Sequence, residues 1–63
     1  MKKRYLPIIV DALGREYKNI QYKNLGDAID ALNEFKEIFA SYRDDKIVDA
    51  YVLNEVTGKQ IRP

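Results

Sequence analysis

One stretch constrains this chain more than any other. Leu25, Ala28, Ile29, Leu32, Phe35, Phe39 and Tyr42 recur three and four positions apart, the spacing of one helical face. With Ala31 and Ile38 they form one continuous apolar arc on a wheel of about 100° per residue. Asn24 supplies an N-cap oxygen, and Asp27 puts a negative charge in the first turn, where the helix dipole favours it. A helix that is apolar on one side must lie on something. On both sides of it the apolar period falls to about two residues, so that surface is a β-sheet.

Residues 4–12 read as a first strand, with Leu6, Ile8, Val10 and Ala12 alternating on one face and β-branched Ile9 on the other. Pro7 is tolerated if the strand begins at Ile8, or if position 7 is unpaired. Gly14 marks a turn into residues 16–23, a mostly polar edge strand with Ile20 and Tyr22 as its inward candidates. The helix is expected to end near Tyr42, before a polar loop over 43–46. Residues 46–56 follow as a central strand, with Val48, Ala50 and Val52 on one face and Ile47, Tyr51 and Leu53 on the other. Thr57 and Gly58 signal a hairpin, and residues 59–62 form a short return strand. The expected fold is α+β, a two-layer ββαββ domain over residues 1–63. Its four-stranded, mainly antiparallel sheet has the order β2-β1-β3-β4, because the first and third strands carry apolar residues on both faces.

A 63-residue chain buries only about 60% of the surface it exposes when unfolded. Natural domains this small add disulfides, a metal or a second subunit. With no Cys and no His, self-association is the remaining reinforcement, and neither a metal nor a cofactor is expected. The same lack of cysteine fits a reducing compartment. No apolar run approaches the length of a membrane span, and no leader pattern precedes the first strand, so a cytoplasmic protein without membrane contact is expected. The Lys, Ile, Asn and Tyr usage suits an AT-rich bacterial or phage genome.

Catalysis has little to work with. One Ser, Ser41, and one Thr, Thr57, stand without any His or Cys, and the three glycines are too far apart for a phosphate loop. A carboxylate pair, Asp11 and Asp49, is expected on the sheet face away from the helix, as two solvated residues rather than an acid–base pair or cation site. The chain therefore reads as a non-enzymatic module, an accessory or regulatory protein that binds or masks a macromolecule.

Alternation places Tyr5, Ile9, Tyr17, Ile47, Tyr51 and Leu53 on the sheet face away from the helix, a larger apolar set than a monomer leaves wet. That face is the expected self-interface of a homodimer. The alternative is a single-stranded nucleic-acid platform, with Tyr5, Tyr17 and Tyr51 stacking on bases while Lys2, Lys3, Arg4, Arg15 and Lys18 meet phosphates. Charge is divided along the chain. Up to Asn24 six basic residues face two acidic ones, and from Leu25 five face eight. Asp27, Asp30, Glu34 and Glu37 share the outer helix face, which reads as a solvated surface or as a docking face for an unidentified basic protein partner.

Overall fold

The structure, a computed structural model, describes residues 3–42 and 46–63; Lys2 and positions 43–45 of the expected polar loop lie outside the described residues. The elements are β1 (Tyr5–Asp11), β2 (Glu16–Lys18), α1 (Leu25–Tyr42), β3 (Ile47–Asn54) and β4 (Gln60–Ile61). Every neighbouring pair of strands is antiparallel, and the order is β2-β1-β3-β4. This is the ββαββ sheet that the doubly apolar first and third strands predict, with α1 packed on one face.

Prolines set the lengths of both edge strands. Odd-numbered residues of β1 turn their backbone groups toward β2: Asp11 N–H donates to Arg15 O at 3.1 Å, Tyr5 N–H to Tyr22 O at 3.0 Å, and Pro7 O accepts from Asn19 N–H at 2.9 Å. Pro7 has no N–H to return that last bond. The ladder lapses after Lys18, well short of the expected Lys23, and reappears as an isolated bridge between Tyr5 and Tyr22. The strand itself starts at Tyr5 and runs through the proline. At the other edge, Val52 pairs with Ile61, and the next residue in register opposite Ala50 is Pro63, which again lacks the donor. Ala50 N–H is satisfied instead by Asp49 Oδ1 at 2.9 Å.

Both hairpins turn on an Asx residue followed by a glycine. Asp11 Oδ1 accepts from Leu13 N–H and Arg15 N–H, both at 2.9 Å, and Gly14 closes the turn with φ +82°. In the second hairpin Asn54 Oδ1 accepts from Val56 N–H at 3.0 Å, and Gly58, at φ +78°, donates to Asn54 O. Ahead of α1, Asn24 O accepts from Ala28 N–H, while the Asn24 side-chain amide donates to Asp27 Oδ2 at 3.3 Å.

The main core lies between sheet and helix, where Ile9, Ala28, Leu32, Phe39 and Val52 are buried and Tyr5, Tyr17, Tyr22, Ile47, Ala50 and Ile61 pack around them. This reverses the expected faces of β1. Its odd residues meet the helix, and Leu6, Ile8 and Val10 form a second cluster with Tyr51 and Leu53 on the other side. Both faces of β1 are apolar, so alternation alone does not choose between them. The connection β2–α1–β3 joins two parallel strands across β1, and the handedness of such crossovers selects the face instead.

A bulge explains the remaining difference in β3. Val10 pairs with Asp49 and Asp11 with Ile47, leaving Val48 as the extra residue. Side-chain parity flips there, so Ile47 joins the helix-side core while Val48 is 62% exposed. Ile20, expected to face inward, lies beyond the end of β2 and is exposed. Ile38 and Tyr42 are exposed as well. Phe39, in the same last turn, is buried and packs on Tyr17 of β2.

Candidate functional site

The face of the sheet without a helix is the surface on which the side chains are most organised. Cross-strand pairing places Leu6, Ile8 and Val10 of β1 beside Tyr51 and Leu53 of β3. Glu16 and Lys18 flank them from β2, since they pair with Val10 and Ile8. Asp49 and Gln60 flank them from the other side, with Arg62 just past the end of β4.

A polar chain crosses this face above its apolar floor. Arg62 makes a two-pronged contact with Asp49, Nε to Oδ1 at 3.0 Å and Nη2 to Oδ2 at 2.6 Å, and Nη2 also donates to Gln60 Oε1 at 3.1 Å. The guanidinium carbon lies 4.9 Å from the centre of the Tyr51 ring, a cation–π contact. Beyond it, the Tyr51 hydroxyl donates to Glu16 Oε2 at 3.2 Å. Tyr51 thus lies across the sheet from β3 to β2, and Ile8, to which it is paired, is only 1% exposed although no helix or second sheet among the described residues covers it.

Ionisation follows these contacts. The Arg62 hydrogen bonds and charge hold the Asp49 carboxyl below its ordinary value, despite some loss of hydration. Asp49 in turn raises Arg62. Loss of hydration, followed by the hydrogen bond and charge of Glu16, pushes the Tyr51 hydroxyl up.

Several expected positions change. Of the six residues assigned to the open face, Tyr51 and Leu53 are there, whereas Tyr5, Ile9, Tyr17 and Ile47 belong to the helix-side core. Tyr17 packs its ring on Phe39 with centroids 4.9 Å apart. The tyrosine platform for base stacking is therefore dismantled, with two members turned to the helix and Tyr51 only 5% exposed beneath Arg62. The expected sharing of one face by Asp11 and Asp49 is likewise corrected. Asp11 is buried on the helix side, accepting from Tyr17 Oη at 3.0 Å in addition to two backbone N–H groups. Burial pushes its carboxyl up, but the hydrogen bonds from Arg15, Tyr17 and Leu13 and the charge of Arg15 together outweigh that and leave it lowered. Its role is to build the first turn.

Among the basic residues, Lys3 and Lys18 meet at one corner of the helix-free face, where they line an open groove with Leu6, Asn19, Ile20 and Gln21. Arg4 lies over the Tyr5 ring at 5.9 Å, and Arg15 is exposed in the first hairpin. Asp27, Asp30, Glu34 and Glu37 are all exposed along α1. Sequence reasoning missed Arg62 and Gln60, whose position was legible only once the register of β4 was known. No group of three metal-ligating side chains occurs among the described residues, and no helix there is long and apolar enough to cross a membrane.

No protein-family model, no curated protein and no solved structure matches this chain.

Proposed function

We propose that this chain is a small non-enzymatic interaction module that pairs with a second copy of itself through the helix-free sheet face. The observation that carries this reading is the Arg62 guanidinium stacked on Tyr51 at the middle of that face, beside half-buried Val10 and Leu53 and over Leu6 and Ile8, which the chain itself already buries. An apolar centre within a polar rim is the ordinary anatomy of a protein interface, and tyrosine and arginine are the residue types that most often dominate binding energy there. A two-fold pairing sheet against sheet covers the second face of each sheet, a reinforcement suited to a cysteine-free 63-residue chain. The cysteine-free composition suits the cytoplasm, the compartment proposed for it.

Leu53 is half-buried at this face and belongs to no helix contact, so Leu53→Asp is the informative change. Molar mass by light scattering over a wide concentration range is expected to show a dimer that persists in high salt, and Leu53→Asp is expected to give a monomer with an unchanged far-UV spectrum. A wild-type chain that remains monomeric throughout would overturn the self-pairing.

A further inference from the structure

The outer margin of β2 carries a second surface, separate from the Tyr51–Arg62 stack. β2 is an edge strand. Arg15 O and Asn19 N–H point inward to β1, and Ile9 pairs with Tyr17. By the alternation of a β-ladder, the N–H and C=O groups of Glu16 and Lys18 point outward, where no strand among the described residues pairs with them. At the lower end of this edge lies the groove of about 520 Å³ lined by Lys3, Leu6, Lys18, Asn19, Ile20 and Gln21. Its floor is apolar at Leu6, and one wall is Ile20, which is 66% exposed.

The groove's two lysines are unpaired: neither Lys3 nor Lys18 forms an ion pair among the described residues, where Arg62 with Asp49 is the ion pair present. Glu16 and Glu55, which accept from the Tyr51 hydroxyl and the Gln21 side-chain amide, keep their negative charge but form an ion pair with neither lysine. Two free ammonium groups beside an exposed isoleucine and an unpaired backbone edge define a particular complement: an extended chain, acidic, with an apolar side chain between its acidic ones.

We propose that the β2 edge and the Lys3–Lys18 groove bind an extended acidic segment of a partner protein, which adds alongside Glu16–Lys18, sets carboxylates against Lys3 and Lys18, and rests one apolar side chain between Leu6 and Ile20. Strand addition of this kind takes affinity from main-chain hydrogen bonds and selectivity from side-chain pockets. A single-stranded nucleic acid would satisfy the lysines equally, but it draws on exposed rings for its bases, and no aromatic residue lines the groove. The site shares Leu6 and Lys18 with the helix-free face, so pairing of that face with a second copy competes with it.

The test is a titration of the ¹⁵N-labelled full chain with an acetylated and amidated pentapeptide that has leucine at its centre and acidic residues on both sides. A peptide with lysines in place of the acids and a short oligothymidylate serve as the other two probes. The acidic peptide is expected to move the amides of residues 16–21 in a salt-sensitive manner, and Lys3→Glu combined with Lys18→Glu is expected to weaken it about tenfold or more through loss of two charge-assisted contacts. Both lysines are exposed, so a far-UV spectrum identical to wild type is the check that the variant folds. No movement of these amides at the highest soluble peptide concentration, or equal movement with the lysine peptide, would overturn the proposal. Movement with oligothymidylate alone would give the groove to nucleic acid and overturn it as well. Movement confined to Val10, Tyr51 and Leu53 would reject the groove while leaving the sheet-face interface intact.

Discussion

Ile8 and Ile9 are adjacent, identical in chemistry and almost equally buried, at 1% and 0% exposure, but they lie under different covers. Ile9 is packed in the main core with Leu32 and Phe39 of α1. Ile8 clusters with Leu6 and Tyr51 on the side without a helix, where the cover is made of side chains that can move. Isoleucine to alanine in a core costs about 2–5 kcal/mol, and the cost grows with the cavity that the surroundings fail to close. Ile9→Ala is accordingly expected near the top of that range, about 4 kcal/mol. Ile8→Ala is expected near the bottom, about 2 kcal/mol, because Tyr51 can settle into the space. A domain of 63 residues has a total stability of roughly 3–9 kcal/mol, so Ile9→Ala removes about half of it or more. Ile8→Ala should remain folded with its midpoint lowered by roughly 8–16 °C. Urea and thermal unfolding followed by far-UV circular dichroism, each at two protein concentrations, separate the two. Equal losses would refute the claim that the two faces are covered differently. A loss below about 1 kcal/mol for Ile8→Ala would show that Tyr51 and Arg62 do not seal it.

Two further predictions concern the turns and the charges. Gly14 and Gly58 have no neighbouring atom within 4 Å of an added Cβ, so Gly14→Ala and Gly58→Ala should each cost about 1–2 kcal/mol through positive φ alone; a neutral result in urea unfolding would contradict the turn geometry. The Asp11 and Asp49 carboxyls are lowered in the folded chain, so below about pH 4 the unfolded state binds protons first and stability rises with pH. Their stabilisation should be fully present above the ordinary aspartate pKa and be lost as the pH falls through the lowered values. Asp49→Asn should flatten that part of the acid-unfolding curve, and an unchanged curve would show that the Arg62 contact does not persist in solution.

Much of the architecture is legible in the residues themselves. The 3.6-residue period from Leu25, the turn signals at Gly14 and at Thr57 with Gly58, and the two-sided apolarity of β1 and β3 are local properties, and they lead to the elements and strand order observed. The shortening of β2 was also latent in the sequence, since Pro7 cannot donate to a partner, but its consequence depended on which neighbour position 7 faces.

Face and register could not be read in this way. A strand that is apolar on both sides offers no local preference for the one that meets the helix, so the placement of Tyr5, Ile9 and Tyr17 was settled by the crossover through α1. One extra residue, Val48, then exchanged the faces of Ile47 and its neighbours. The Glu16–Tyr51–Arg62–Asp49 chain joins positions up to 46 apart in the sequence, from 16 to 62. Such contacts exist only when β2, β1, β3 and β4 lie side by side, because side-chain reach across a sheet depends on strand neighbours and not on sequence distance.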